Sequence, residues 1–259
     1  MTITLLGTGT STGVPMIGCP CATCHSSDPR DKRLRVSVLL QHGVRNILID
    51  TSADFRQQML AYDVTHLEAI LYTHQHYDHI AGFDDLRAFQ FLKKKSPACF
   101  ASQETYDHIR KTFDYAFGGA TQSGGGLPKA NFTLIDNTPF DVEALHVIPI
   151  PLKHGNMNVL GFRIGAFAYL TDCSGIPAKS FDLLSGLDTL VLDGLRFKSH
   201  PTHFSIDEAV RIAERIAPRI TYLTHMNHDV MHETTERDLP PHVRLAYDGL
   251  TFELPETGS

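Results

Sequence analysis

The segment His74-Gln75-His76-Tyr77-Asp78-His79 decides the reading of this 259-residue chain. It follows directly on Ala69 to Tyr72, an apolar run too short for a helix and suited to a buried strand. Four ligand-type side chains within six positions converge on one small volume only if the backbone turns sharply at the strand end. Imidazole suits zinc, iron and manganese, and a carboxylate widens that choice. A polar loop that is merely His-rich is the competing reading, and the density of ligands stands against it.

The composition supports metal chemistry and excludes other classes. At 42% hydrophobic, the chain can bury a sizeable core without disulfides, and it reads as a single domain over residues 1–259. Lys and Arg number 23 against 29 Asp and Glu, a net charge of −6, so no basic surface advertises a nucleic-acid partner. No apolar run reaches the length that crosses a bilayer, and Met1 to Leu6 lacks the basic and apolar regions of a signal peptide. A cytoplasmic protein without membrane contact is expected. Beside 15 His stand only 5 Cys and no Trp, with Cys19, Cys21 and Cys24 in one short segment, which points to metal before disulfides.

Short apolar runs ending at Gly, Pro or Asp recur along the chain, among them Ile3 to Leu6, Val36 to Leu40, Ile47 to Ile49, Ala144 to Ile150, Val159 to Ile164, Phe167 to Leu170, Thr189 to Leu192 and Ile220 to Leu223. They predict strands. Helices are expected at Ala53 to Ala61, Asp84 to Leu92, Gln103 to Phe113 and Ala178 to Leu184. Another begins at Ser205, where the S-x-x-E pattern with Glu208 makes a capping box, and stops near Pro218. Strands broken by scattered helices imply an α/β fold of two sheets covered by helices. The Gly-rich stretch from Phe117 to Ala130 stands apart as an insertion or lid near residues 106–131, flanked by aromatics that either stack on substrate or pack a helix. No internal repeat is visible, and Pro255 to Ser259 reads as a frayed tail.

HxHxDH after a strand, in a chain of many short strands, resembles the metallo-β-lactamase superfamily. The resemblance implies an αββα sandwich, two mixed sheets flanked by helices, with a two-metal site at one edge of the sheets. It also implies distant ligands, and His154, Asp172 and His225 each follow a strand run in the expected order. Carried over residue by residue, His74, His76 and His154 hold one metal; Asp78, His79 and His225 hold the other; Asp172 bridges them. The two ions would be zinc or manganese, sharing a hydroxide formed at neutral pH because coordination lowers the pKa of water to about 7. Asp78 and His203 are the expected catalytic residues.

Gly18-Cys19-Pro20-Cys21-Ala22-Thr23-Cys24 supplies three thiolates, and His228 can complete a tetrahedral structural zinc. This combination is similar to the PhnP-like phosphodiesterases, while PqqB-like proteins share the cysteine-rich loop. In Ser199-His200-Pro201-Thr202-His203, the register with the following helix makes His203 the better match to the His that protonates a leaving group in phosphodiesterases, and His200 the weaker. The implied function is hydrolysis of a small phosphate diester, cyclic or linear. A tRNA 3′-processing endonuclease of the tRNase Z kind is an alternative, but Arg110, Lys111 and Lys129 against Asp107 and Asp114 make a thin arm for gripping RNA. A PqqB-like protein without ordinary hydrolysis is another, and so are thioester or lactone hydrolysis. Pairing into a homodimer is left open.

Other motifs carry less. Gly7-Thr8-Gly9-Thr10-Ser11-Thr12-Gly13 fails as a dinucleotide fingerprint because Pro15 and Pro20 disfavour the helix that should follow, so a turn beneath the metal site is expected. The mixed charges from Asp28 to Arg35 read as a solvated face. Cys99 reads as core, and Cys173 is given no ligand role.

Overall fold

The structure of the chain, a computed structural model, describes residues 1–118 and 126–254. Among the described residues fourteen strands form two sheets. The first half contributes β1 (Thr2–Gly7), β2 (Ser37–His42), β3 (Arg45–Ile49), β4 (Ala69–Leu71), β5 (Ala98–Ala101) and β6 (Asn131–Leu134). The second contributes β7 (Phe140–Val142), β8 (Leu145–His154), β9 (Met157–Ile164), β10 (Phe167–Leu170), β11 (Thr189–Asp193), β12 (Ile220–Thr224) and β13 (Val243–Leu245), and β14 (Thr251–Glu253) returns to the first sheet. The orders are β14-β1-β2-β3-β4-β5-β6 and β7-β8-β9-β10-β11-β12-β13.

Period-two alternation makes the layers. Ile3, Leu5, Val38, Leu40, Ile47, Ile49, Ala69 and Leu71 join the core shared with the second sheet, whereas Leu39, Leu48 and Ile70 point the other way, into a second core. That outer core is closed by Phe55 and Met59 of α1 (Phe55–Ala61), by Phe83, and by Ile109 on a later helix. The metal-motif turn α2 (Tyr77–Ile80), α3 (Arg87–Lys93) and α4 (Gln103–Thr112) follow in the same half. The second sheet is covered by α5 (Ala178–Asp182) and α6 (Ile206–Ile216), and α7 (His232–Asp238) precedes β13. The expected αββα class is the observed one.

The capping box forms as expected. Ser205 accepts from the Glu208 amide while the Glu208 carboxylate accepts from Ser205 N–H, and α6 ends at Ala217, whose φ of 54° breaks the helix before Pro218. Ile206, Ala209 and Ala213 form its buried face.

In each sheet three antiparallel pairings are followed by three parallel ones. The halves therefore share a topology that the sequence hides, since backbone pairing survives where side-chain identity does not. Strands β5, β6 and β7 are the ones that hydrophobic patterning missed, the last two short and half-exposed.

The segment from Asp28 to Arg35 is not a solvated face. Arg33 is fully buried, pairs with Asp31 at 3.1 Å and donates to the carbonyl of Asn227. A buried guanidinium persists only when paired and hydrogen-bonded, and these partners tie the segment to the loop after β12. The aromatics of the insertion pack inward: Phe83 lies 5.1 Å from Phe113 and 5.8 Å from Phe117, and Tyr106 lies 4.9 Å from Phe132. The glycines proposed as a lid, apart from Gly118 and Gly126, lie outside the described residues.

Candidate metal centre

The site lies at the carboxyl ends of parallel-paired β4, β10 and β12 and of antiparallel β8. After β4 the chain continues through Thr73 and His74, then turns at His76, which caps α2 with ψ 147°, so that one helical turn presents Asp78 and His79. This is the sharp turn the dense motif requires. From the second sheet come His154 at the end of β8, Asp172 after β10 and His225 after β12. Asp172 and His225 take left-handed φ values of 51° and 60°, and Asp50, directly after β3, takes 61°.

The ligand atoms of His74, His76 and His154 lie within 4.8 Å of one another, as do those of Asp78, His79 and His225. Asp172 reaches both groups: a carboxylate oxygen lies within 4.8 Å of a ring nitrogen of His74 and of His154, while Oδ1 is 2.9 Å from His79 Nε2 and Oδ2 3.0 Å from His225 Nε2. His74 and Asp172 are nearly inaccessible and His79 and His225 completely so, whereas His76 is exposed at the mouth. Asp78 Oδ2, His79 Nε2 and His225 Nε2 are buried and, despite the nearness of Asp172 to both rings, make no hydrogen bond of good geometry among the described residues. Buried polar atoms rarely go unsatisfied, and orphaned lone pairs of imidazole and carboxylate aimed at one volume are the donor set a divalent cation takes.

Outer partners fix the tautomers. His79 Nδ1 donates to Asp50 Oδ2 at 2.7 Å, and Asp50 is held in turn by the N–H and hydroxyl of Thr73 at 2.8 and 2.7 Å. His154 Nδ1 donates to the Thr202 carbonyl at 2.7 Å. Both rings thereby keep Nδ1 protonated and leave Nε2 as the nitrogen that offers a lone pair once the ring is neutral, the arrangement that orients metal-binding histidines. Burial alone would lower the His79 pKa, but Asp172, Asp78 and Asp50 raise it well above its usual value. His225 is likewise opposed by burial and raised by Asp172 and Asp78, to about 10. Burial would raise Asp172, yet His225 and His79 hold it well below the carboxylate range.

His203 lies at the same centre, its ring stacked on His225 at 4.7 Å and 4.6 Å from His154. Its Nδ1 is 2.8 Å from Asp193 Oδ2, which also accepts from the Cys173 amide at 2.8 Å. His200 is half-buried, 5.3 Å from His203. Asp50 and Asp193 belong to no motif in the sequence. Each closes a buried apolar strand just as Asp172 does, and that position is the only signal they carry in the sequence. Cys173 is buried with its thiol on the Leu170 carbonyl, and Cys99 is core.

Cys19, Cys21, Cys24 and His228 form a separate cluster with ligand atoms within 4.8 Å of one another. His228 Nδ1 is 3.3 Å from Cys19 Sγ and 3.4 Å from Cys21 Sγ. The Cys24 amide foremost, then His228, lower the Cys21 thiol to about 6, while burial pushes Cys24 up to about 11. The glycine-rich segment lies under the His225 loop: Met226 N–H donates to Thr8 O at 3.0 Å, and Thr10 N–H to Met226 O at 3.1 Å. A side chain at Gly9 would meet the Arg33 carbonyl at 2.8 Å, so close backbone approach explains this glycine without any nucleotide.

Residues 45–226 match the model of the β-lactamase superfamily domain. Among solved structures the chain is similar to a diphosphatase from the PhnP family, 42% identical, covering 98% of each chain with a TM-score of 0.91. It is 40% identical over 257 residues to an octanoyltransferase of Porphyromonas gingivalis, covering 98% of this chain but only 52% of that protein, so it spans about half the length of this relative. It is 33% identical over 215 residues to coenzyme PQQ synthesis protein B of Methylobacterium nodulans, 73% of this chain and 71% of that protein. The chain belongs to the metallo-β-lactamase superfamily. Within it, the chain is PhnP-like.

Proposed function

We propose that the chain is a metal-dependent phosphodiesterase acting on a small phosphate diester. One observation carries the reading: Asp172 lies between two groups of three ligands, with the Asp193–His203 pair beside them. In this reading His74, His76 and His154 hold one cation, Asp78, His79 and His225 a second, and Asp172 both, with zinc or manganese as the ions. Cations bound there supply Lewis acidity at phosphoryl oxygens and lower the pKa of a water toward about 7. The chain's own part is orientation and proton movement. Asp193 accepts a hydrogen bond from the His203 proton on Nδ1, so that Nε2–H is the atom that protonates a departing oxygen. The similarity to a PhnP-family diphosphatase supports phosphorus as the reacting centre. A second reading, hydrolysis of an acyl ester or thioester, is favoured by the identity to the octanoyltransferase.

The test is metal analysis followed by one substrate panel on the same preparation: bis-aryl phosphate, 2′,3′-cyclic nucleotide, phosphoribosyl cyclic phosphate, lactone and thioester. Turnover of phosphodiesters that is lost on chelation and restored by zinc or manganese is the expected result. Activity confined to carbon esters overturns the reading.

The cysteine cluster would hold a third, structural zinc that ties the N-terminal loop to the loop bearing His225, and reduced thiols of this kind suit the cytoplasm. Cys21→Ser is expected to lower zinc content by one equivalent and turnover by about 10- to 100-fold, the usual penalty when support for a ligand is lost. Faster amide exchange confined to residues 225–228 accompanies it. Unchanged zinc content and turnover would remove this role.

A further inference from the structure

His200 is left without work by the reading above, yet its setting is built. Thr202 holds an imidazole on either side. Its carbonyl accepts from His154 Nδ1 at 2.7 Å, while its own N–H donates to His200 Nδ1 at 3.4 Å and its hydroxyl lies 3.1 Å from that same atom. A backbone N–H can only donate, so Nδ1 of His200 is the acceptor and the neutral ring carries its proton on Nε2. The loop is braced from behind: the Arg196 guanidinium donates to the carbonyls of Lys198 and Ser199 at 3.0 and 3.3 Å, and Arg196 pairs through its backbone with Ser205. Gly155 gives Thr202 its room, since a Cβ there would come within 2.8 Å of the Thr202 methyl. The histidines thus run in file outward from the site, His154 to His203 at 4.6 Å and His203 to His200 at 5.3 Å.

If His203 is the acid of the proposed reaction, a phosphorus atom reacting at the ligand cluster has its leaving oxygen at His203. What is attached to that oxygen lies farther along the file, where His200 stands. A preorganised, uncharged N–H donor in that place suits a second phosphoryl group better than the carbon skeleton of an alcohol. We propose that His200 binds the departing phosphoryl group of a diphosphate diester, and that the chain therefore prefers phosphoanhydrides to simple phosphodiesters. This rests on the phosphoesterase reading above. In the reaction, water adds to one phosphorus and the bond from that phosphorus to the bridging oxygen breaks. The bridging oxygen leaves with the second phosphoryl group and takes a proton from His203 Nε2, which the attacking water replaces. His200 donates to a non-bridging oxygen of the departing group and is itself unchanged.

The experiment compares the wild type, His200→Ala and His200→Gln on an alkyl adenosine 5′-diphosphate and on bis(4-nitrophenyl) phosphate. The ratio of kcat/KM for the diphosphate to that for the aryl ester is expected to fall about 30-fold in the Ala variant, the ordinary worth of one hydrogen bond to a charged group. Gln, whose amide reaches the place of Nε2, is expected to recover most of it. Calorimetry supplies a readout apart from turnover: methylene diphosphonate binds the wild type more tightly than methylphosphonate does, and Ala at 200 narrows that gap by a similar factor. Equal losses on both substrates, with the diphosphonate preference intact, overturn the inference and leave the phosphodiesterase reading standing. A wild type inactive on both phosphates but active on a thioester overturns both.

Discussion

Asp172→Asn is expected to weaken metal binding by about two to four orders of magnitude and to bring phosphodiester turnover close to background. The carboxylate is buried between two imidazoles, 2.9 and 3.0 Å away. Removing one charged partner from such a group leaves the others uncompensated, which costs about 3–5 kcal/mol, and each 1.4 kcal/mol is tenfold in affinity. Asn keeps the shape and accepts a left-handed backbone, so the variant folds, and a thermal melt in chelator verifies this. Retention of both metal equivalents after dialysis, with more than about a tenth of the turnover, would contradict the assignment of Asp172. The same residue sets the pH dependence of metal uptake. In the metal-free chain the His225 pKa is raised to about 10, so at neutral pH a cation must displace a proton. Apparent affinity therefore falls as pH drops, by about tenfold per unit for each proton displaced. The slope should flatten in the Asn variant, because the charge that raises His225 is gone.

His203→Ala is the second large effect. Turnover of esters with poor leaving groups is expected to fall by about 10²- to 10⁴-fold, the range for a positioned general acid, while activated aryl esters lose far less. The reason is geometric. Asp193 holds Nδ1 at 2.8 Å, which leaves Nε2 as the nitrogen for proton transfer, on a ring that lies against His225 and His154 of the ligand cluster. Asp193→Asn should show the same leaving-group pattern in weaker form, since an amide can offer Nδ1 a donor and turn the ring's proton to the wrong side. Equal losses across leaving groups would mean that His203 holds substrate and moves no proton.

The half of the site on one short stretch was open to reading, because His74, His76, Asp78 and His79 announce themselves by density. His154, Asp172 and His225 were legible only as strand-end residues arranged as in a known family; alone, none differs from an ordinary surface His or Asp. Asp50 and Asp193 went unread for the same reason. The contact from Asp50 to His79 spans 29 residues, and no local pattern reports which of many strand-end carboxylates makes such a contact. Arg33 misled through its neighbours, since a run of mixed charge suggests solvent, whereas its acceptor at Asn227 is 194 residues away. The layered fold was readable from period-two alternation in β1 to β4, but the short edge strands β6 and β7 bury too little to leave such a trace.

The shared topology of the two sheets has a consequence for where acids come to rest. In each sheet, pairing changes from antiparallel to parallel at the fourth strand, β3 in one and β10 in the other. Just past each of these strands stands an aspartate in the left-handed region, Asp50 at φ 61° and Asp172 at φ 51°. An open sheet has its crevice at such a switch, and Asp tolerates that backbone better than most residues do. The fold thus offers the same niche twice, and this chain has employed the two occupants unequally. One carboxylate faces the centre and carries its charge there, and the other stands behind His79 and lends its charge through the ring.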